Sequence, residues 1–230
     1  MKSGAESPIH RDMITTQINN KSVLGLWLFF MPSELLPISS EEKTWVKKLT
    51  KRRGSLYHFS RGCVRNVMSN MTGLDPLAIP LKADPGKPPL LAKGWGYISI
   101  SHCTDALLIG WSKGKIGVDI ERKDRKFQAR KLSKRFFSEY ENHEIKDLMP
   151  SQAKEQILNR WIAKEAAIKW HSGKISTNLS QWIWKNNSSF AYHKKLGYQV
   201  KIHIQNLDQW SYAIALDCDC IIKNPTICIN

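Results

Sequence analysis

The stretch Gly117-Val118-Asp119-Ile120-Glu121 places two carboxylates at alternate positions between apolar residues. Successive side chains of a strand point to opposite faces. The stretch therefore predicts a strand with Asp119 and Glu121 on one face and the apolar side chains on the other. The remaining predictions about fold and site start from this acidic strand.

A third acidic residue, Glu165, follows in a segment whose spacing predicts a helix. At about 100° per residue, Glu165 and Lys169 fall within the arc that carries the apolar side chains of the segment. A carboxylate among apolar neighbours must be paired or must bind a cation. One interpretation is an ion pair with Lys164 or Lys169, since such pairs are common on helices. The other is a hard divalent cation, Mg²⁺ or Mn²⁺, shared with the strand carboxylates, and three acidic groups from two elements favour it.

The composition is that of a globular chain with a strong positive charge. With 230 residues the chain fits one large domain or two small halves, and its 42% of hydrophobic residues suffice for a full core. A net charge of +15 and a pI near 9.7 indicate a polyanionic partner. Nucleic acid, a phosphorylated cofactor and an acidic protein all satisfy this charge, and composition does not choose among them.

The sequence indicates neither a membrane segment nor an export signal. No apolar run approaches the roughly 18 residues of a membrane helix, and the run at 23–30 is better explained as a buried strand. Residues 1–20 are polar and aperiodic, so we expect a mobile leader rather than a signal peptide. The five cysteines form no paired framework, and Cys218-Asp219-Cys220 lacks the second ligand pair of a zinc site. We expect a cytoplasmic protein.

Strand and helix patterns occur in a similar order in two parts of the chain, 21–113 and 114–230. The predicted elements are a strand at 23–30, helices at 41–49 and 61–71, strands at 97–101, 106–111 and 116–121, helices at 132–148 and 153–171, and strands at 181–184, 198–204 and 210–216. Gly173 is expected to end the long helix. The similar order by itself only suggests a duplicated architecture, because no residue-level repeat accompanies it.

The acidic strand, combined with Trp161-x-x-Lys164-Glu165-Ala166-x-x-Lys169, resembles the 4′-phosphopantetheinyl transferase superfamily. The length resembles its long single-chain, surfactin-synthetase-activating type. Further pieces follow in the family's order: Lys87-Pro88, Ile100-Ser101-His102, and Arg135-Phe136-Phe137-Ser138 with Glu141. Each motif alone is weak evidence for the resemblance, whereas four motifs in the family's order and at suitable spacing are strong evidence. The matching pieces lie within residues 50–172.

The resemblance implies an activity, a fold and a set of partners. The activity is transfer of phosphopantetheine from coenzyme A to a serine of an apo acyl, polyketide or peptidyl carrier protein, which leaves 3′,5′-ADP. The fold is α+β, with two similar halves related by a pseudo-two-fold and the active site in the cleft between them. We expect an acidic carrier protein and coenzyme A as partners, a monomer, and neither nucleic acid nor membrane as a partner.

The resemblance also implies roles for the acidic residues and for Lys169. Asp119, Glu121 and Glu165 would hold Mg²⁺ on the diphosphate, where the ion orients the substrate and neutralises charge. Glu165 is the candidate base for the serine proton. Lys169 would contact the diphosphate and stabilise the leaving phosphate. Asp119, Glu165 and Lys169 are therefore the candidate catalytic residues.

The nucleotide end of coenzyme A is expected to bind a second group of residues. His102, with Ser101 before it, would bind the 3′-phosphate, and the Lys87-Pro88 loop would reach adenine or phosphate. Among the basic residues that follow the first strand, Arg61 and Arg53 are the candidates for gripping phosphate. Each has an ordinary alternative, because a strand-end histidine is often structural and a loop or helix cation is often only solvated. The basic stretch 121–126 could dock an acidic carrier helix or form a solvated loop.

Two other function classes compete with this interpretation. A Mg²⁺-dependent nuclease or nucleic-acid phosphotransferase would also use paired carboxylates, a lysine and a positive charge. It does not call for the Ile-Ser-His strand or the Gly-Lys-Pro loop. A non-catalytic nucleic-acid-binding module would explain the charge and the aromatic residues, but not an acidic triad that repels phosphate without a metal.

Overall fold

The computed structural model describes residues 24–31, 34–185, 188–217 and 224–228. The leader expected at residues 1–20 and the Cys218-Asp219-Cys220 motif lie outside these ranges. Within them the chain forms a mixed α+β fold, as the sequence predicted. No helix in these ranges is both long and apolar enough to cross a membrane.

The first part of the chain alternates strands with two helices. Its elements are β1 (Leu24–Phe30), α1 (Ser40–Lys48), α2 (Lys51–Thr72), β2 (Leu81–Lys82), β3 (Leu90–Leu91), β4 (Tyr97–His102), β5 (Ala106–Ser112) and β6 (Ile116–Arg122). A capping box starts α1, because Ser39 and Glu42 each accept a hydrogen bond from the backbone N–H of the other. Gly73 ends α2 with a φ of 74°, a left-handed conformation that glycine adopts without steric cost.

The second part places four helices before a strand meander. Its elements are α3 (Ala129–Phe136), α4 (Glu139–Ile145), α5 (Pro150–Trp170), α6 (Ile175–Asn178), β7 (Trp182–Trp184), β8 (Phe190–His193), β9 (Gln199–Leu207), β10 (Trp210–Leu216) and β11 (Thr226–Cys228). Pro150 occupies the first turn of α5, where its missing N–H costs nothing.

Two main sheets form the frame of the molecule. The first sheet has the strand order β11-β1-β5-β4, and the second has the order β6-β10-β9-β8-β7. The first sheet is covered by α2, whose Val64 and Met68 share a core cluster with Phe29 and Leu107. The second sheet is covered by α5, whose Ala163, Ala166 and Ala167 pack within a second core cluster. Small residues on this face of α5 allow the helix to approach the sheet closely.

The two sheets meet where β4 lies beside β6. The backbone N–H of Val118 in β6 donates to the Ser99 hydroxyl of β4 over 3.0 Å. Because β6 also packs under α5, the acidic strand lies between the end of the first sheet and the long helix. This arrangement brings residues of β4, β6 and α5 to one place. The pseudo-two-fold relation between the halves, and their boundary at residues 113 and 114, stay predictions.

Several sequence-based boundaries differ from the structure. The helix expected at 132–148 is two helices, α3 and α4, because Ser138 starts a new capping box with Glu141. The long helix begins at Pro150 rather than at 153. The long helix ends at Trp170, immediately before His171-Ser172-Gly173, and the left-handed residue of this stretch is Ser172, with a φ of 57°. Strands β2, β3, β8 and β11 had no sequence prediction, and each of them is four residues or shorter.

Candidate active site

Lys169 and Asp119 meet where α5 packs on β6. Lys169 Nζ lies 2.7 Å from Asp119 Oδ1 and donates a second hydrogen bond of 2.8 Å to Ser101 Oγ. The Ser101 hydroxyl in turn donates to Asp119 Oδ1 over 2.6 Å. The side chain of Asp119 is 4% exposed and that of Lys169 is 24% exposed. The ammonium group can therefore meet a ligand from solvent, while the carboxylate is held behind it.

Gly117 explains how α5 comes close enough to β6 for this contact. A Cβ built on Gly117 would lie 1.9 Å from the carbonyl oxygen of Ala166 and 2.5 Å from the backbone nitrogen of Trp170. No side chain fits this space, so the backbones of helix and strand touch directly. The glycine of the acidic strand thus sets the approach that carries Lys169 to Asp119.

Glu165 and Glu121 have perturbed carboxyl groups near Asp119. Burial, together with the negative charges of Asp119 and Glu121, raises the pKa of Glu165 to about 8, while the charge of Lys169 opposes the rise. Burial also raises the pKa of Glu121 to about 7, and here the paired guanidinium of Arg125 opposes it. The three acidic side chains singled out in the sequence therefore lie near enough to repel one another.

The donor set suits a hard cation, although no cluster is preformed. In the described ranges no group of three or more acidic, histidine or cysteine side chains is already arranged around a metal position. Asp119 Oδ2, however, is buried and has no hydrogen-bond partner among the described residues. A divalent cation would satisfy that oxygen and relieve the repulsion among Asp119, Glu121 and Glu165, using the oxygen ligands that Mg²⁺ prefers. The residues fit the ion, and metal binding stays a prediction.

Lys164, considered above as an ion-pair partner of Glu165, has a different partner. Its Nζ lies 2.8 Å from Glu141 Oε2, and both side chains are fully buried. The ammonium also lies 4.3 Å from the ring centroid of Phe137, and Glu141 Oε1 accepts from the backbone N–H of Trp184. Burial lowers the pKa of Lys164 to about 8, opposed by the charge of Glu141. This pair joins α5 to α4 and β7 at the residue before Glu165.

His102 and Arg61 lie near each other beside this centre. Partial burial and the charge of Lys169 lower the pKa of His102, to which Arg61 also contributes, although the residue remains exposed. Arg61 is 5% exposed, and its guanidinium lies 4.7 Å from the Tyr57 ring centroid. It donates to Ser60 Oγ, while its Nε is buried without a hydrogen-bond partner in the described part of the chain. A buried cation with so few acceptors is suited to an anion.

The other two cations that were predicted to contact the nucleotide, Lys87 and Arg53, are exposed to solvent. Lys87 pairs with Asp84 over 2.9 Å, and its side chain is 71% exposed. Arg53 lies exposed in the first turn of α2, with no ion pair to another described residue. Arg61 thus lies near enough to His102 to lower its pKa, whereas Arg53 is an exposed residue near the start of α2.

A cavity of about 1000 Å³ opens next to Lys169. It is bounded by the 86–94 loop, by 97–100 of β4, by the β5–β6 hairpin and by the end of α5. Five lysines line it, and no described acidic residue does: Lys87, Lys93, Lys113, Lys115 and Lys169. The walls also include Tyr97, Trp111 and Trp170. A basic cavity with aromatic walls suits a ligand that carries both phosphate and apolar groups.

Two of the four basic residues that follow the acidic strand form ion pairs with carboxylates. Arg125 pairs with Glu121, and Arg122 pairs with Asp105 and Asp124. The remaining two lysines of the stretch, at positions 123 and 126, are exposed. An acidic partner would therefore meet two exposed lysines directly beside the candidate site.

Comparison with known proteins finds a similarity over the part of the chain that begins just before β6. Residues 115–216 match the family model described as the 4′-phosphopantetheinyl transferase superfamily. A Synechocystis protein named "Putative 4′-phosphopantetheinyl transferase" is 33% identical over 105 residues, which cover 44% of this chain and 43% of the relative. The chain thus spans less than half of the curated relative that it matches. The resemblance predicted from the motifs is confirmed: residues 115–216 match the model of this superfamily, and the two matches support a transferase.

The matched segment holds Asp119, Glu121, Glu165 and Lys169 but not the predicted nucleotide contacts. Sequence reasoning assigned Ser101 to coenzyme A and did not predict that its hydroxyl forms hydrogen bonds with Asp119 and Lys169. It also missed the pairing of Lys164 with Glu141. Strand alternation could have suggested the first, since Ser99 and Ser101 share a face. No sequence signal gave the second.

Proposed function

We propose that this protein transfers the 4′-phosphopantetheine group from coenzyme A to a serine of an acidic apo carrier protein, releasing 3′,5′-ADP. The observation that carries the proposal is the contact of Lys169 with Asp119, inside the segment that matches the superfamily. Glu165 and Glu121 lie close to the same contact. A lysine held at a group of carboxylates is suited to binding a diphosphate together with a divalent cation.

The reaction is a displacement at the phosphorus atom that bears the pantetheine. The serine oxygen forms a new P–O bond, and the P–O bond of the diphosphate bridge breaks to leave the phosphate of 3′,5′-ADP. Glu165 accepts the proton of the serine hydroxyl. Lys169 binds the diphosphate and stabilises the negative charge that develops on the leaving phosphate.

Asp119, Glu121 and Glu165 would hold Mg²⁺ or Mn²⁺, which would supply charge neutralisation on the diphosphate. The buried Asp119 Oδ2, which lacks a partner among the described residues, supports this assignment. Ser101 orients the side chains of Asp119 and Lys169 through its two hydrogen bonds. Its hydroxyl is then committed to these two side chains, so any contact of Ser101 with coenzyme A would come from its backbone.

The nucleotide of coenzyme A is proposed to bind around His102 and Arg61. The incompletely paired guanidinium of Arg61 supports a phosphate there. The Lys87-Pro88 loop, at the wall of the basic cavity, is proposed to contact adenine or phosphate. Arg53 stays a weaker candidate because it is exposed and forms no ion pair with another described residue.

The carrier protein is proposed to dock on the basic stretch 122–126. An acidic helix would meet the exposed Lys123 and Lys126, and the net charge of +15 would attract it from solution. Acyl, polyketide and peptidyl carriers all fit this description. A monomer and a cytoplasmic location, with free thiols at Cys63 and Cys103, complete the proposal.

The test mixes the full chain with an apo acyl carrier protein, coenzyme A and Mg²⁺. We expect the carrier protein to gain the mass of one phosphopantetheine group, with release of 3′,5′-ADP. A Lys169→Met variant should lose the activity, and Lys174→Met, which changes an exposed lysine just beyond α5, should keep it. Absence of any modified carrier, combined with strongly salt-dependent DNA binding, would instead support the nuclease interpretation.

A further inference from the structure

Asp105, in the turn between β4 and β5, joins the first sheet to the second through a single carboxylate. Its Oδ1 accepts a hydrogen bond of 3.0 Å from Trp210 Nε1, and its Oδ2 accepts one of 3.3 Å from Gln209 Nε2. Oδ2 also pairs with the Arg122 guanidinium. All three donors belong to the second sheet or its β9–β10 turn. One side chain of the first sheet thus takes three donors from the other.

Both sides of this joint are held firmly by their own backbones. On the first sheet, the Asp105 carbonyl accepts from the N–H of Met31 over 2.8 Å. On the second, the Gln209 carbonyl accepts from the N–H of Lys123 over 2.8 Å. Trp210 also stacks on Phe30 of the first sheet, with ring centroids 5.4 Å apart, so an aromatic contact lies beside the carboxylate at this joint. The Asp105 carboxylate is the charged contact of the joint, and it lies where the strand ends of the two sheets meet.

The strand ends that Asp105 links carry two different parts of the candidate site. His102, proposed for the nucleotide, lies at the end of β4, three residues before Asp105. Glu121, proposed for the cation, directly precedes Arg122 at the end of β6. A shift of one strand end against the other would change the separation between these two groups. A single coenzyme A molecule has to span that separation.

The link is a strong one for a partly exposed group. Burial raises the pKa of Asp105, but hydrogen bonds from Trp210 and Arg122 outweigh burial and hold the pKa below its ordinary value. Ionised carboxylates form shorter and stronger hydrogen bonds than neutral acceptors do. The side chains of both Asp105 and Arg122 are 26% exposed, so the pair is partly shielded from salt and water.

We propose that Asp105 is a positioning residue, which holds the His102 end of β4 against the Glu121 end of β6 so that one coenzyme A molecule engages both. This inference rests on the proposed function. It assigns no contact with substrate to Asp105. Its effect is to couple binding at the nucleotide end to binding at the cation end, because both ends are tied to one carboxylate.

The test uses Asp105→Asn, which keeps the shape of the side chain and removes the charge that pairs with Arg122. The dissociation constant of coenzyme A is measured by calorimetry on the full chain, once with EDTA and once with Mg²⁺. We expect Mg²⁺ to tighten binding in the wild type, and we expect this tightening factor to fall about fivefold or more in the variant. A purely structural role would lower the melting temperature and leave the factor unchanged.

Asp124→Asn is the matched control. Asp124 binds the same arginine, through Nε over 2.7 Å and through a second guanidinium nitrogen over 2.6 Å. It belongs to the connector after β6, however, and no hydrogen bond or ion pair joins its side chain to a described residue of the first sheet. We expect this control to keep the tightening factor of the wild type.

An unchanged factor in Asp105→Asn would overturn the proposal, as would an equal loss in Asp124→Asn. If Asp105→Asn does not fold, Arg122→Gln breaks the same link from the other side and is judged by the same factor. A wild type that binds no coenzyme A would instead contradict the proposed function, and the two failures are therefore distinguishable.

Discussion

Lys169 Nζ lies 2.7 Å from Asp119 Oδ1, although the two residues are 50 positions apart in the chain. The contact joins α5 to β6, and it uses only one of the two carboxylate oxygens. The other, Oδ2, is buried without a hydrogen-bond partner among the described residues. This oxygen of Asp119 is thus available to a cation, and the ammonium group of Lys169 is available to an anionic substrate. This pair is the basis of the proposed transfer.

Replacing Lys169 with methionine should lower kcat for phosphopantetheine transfer by about a hundredfold or more, since a charged donor at the leaving phosphate is lost. The rate is measured by mass spectrometry of the carrier protein at saturating coenzyme A. Lys174→Met serves as the control. A Lys169→Met enzyme with near wild-type kcat would contradict the role of Lys169 in the reaction.

Asp119→Asn and Glu165→Gln should each reduce transfer by at least about a hundredfold, because each removes a charged oxygen ligand that is worth several kcal/mol in the transition state. Circular dichroism and the melting temperature report whether the fold is kept. Raising the Mg²⁺ concentration should restore part of the activity in these variants. If either variant works at the wild-type rate in EDTA, the metal assignment is wrong.

Gly117→Ala should disrupt the site by pushing α5 away from β6, because its Cβ would lie 1.9 Å from the carbonyl oxygen of Ala166. We expect a loss of about 1–3 kcal/mol or more in the free energy of unfolding, together with a loss of transfer. Chemical denaturation measures the first quantity. Gly114→Ala, in the β5–β6 hairpin, meets its nearest atom at 3.7 Å and should be tolerated far better.

Glu141→Ala should destabilise the protein by about 3–5 kcal/mol, since it leaves the fully buried Lys164 without its anionic partner. Glu139→Ala, at an exposed position in the first turn of the same helix, is the control. Urea denaturation of both variants gives the difference. Equal stability of the two variants would show that Lys164 finds another partner or leaves the core.

His102→Ala should mainly raise the KM for coenzyme A, by about tenfold, while changing kcat less. The reason is that a ground-state phosphate contact contributes to binding more than to the chemical step. Initial rates at varied coenzyme A measure both constants. Dephospho-coenzyme A, which lacks the 3′-phosphate, should show a similar KM with the wild type and the variant. An unchanged KM for coenzyme A in His102→Ala would contradict the phosphate contact.

Local sequence patterns predicted many of the secondary-structure elements. The alternation in β6, the helical spacing of α5 and the apolar run of β5 are properties of a few consecutive residues, and the structure confirms each of these elements. One error falls where a short-range signal competes with another one. Ser138 and Glu141 form a capping box inside what the spacing predicts as a single helix, and the box decides the outcome.

Only the tertiary structure decided how the site is held together. The sequence by itself determined that Asp119 and Glu121 share a face, and that Glu165 and Lys169 share another, because backbone geometry fixes which side chains are neighbours within one element. It did not determine that Lys169 would bind Asp119 and Ser101, or that Lys164 would bind Glu141. Those partners depend on how closely two elements approach. For Lys169 and Asp119, the approach of α5 to β6 is set by the bare backbone of Gly117 against Ala166.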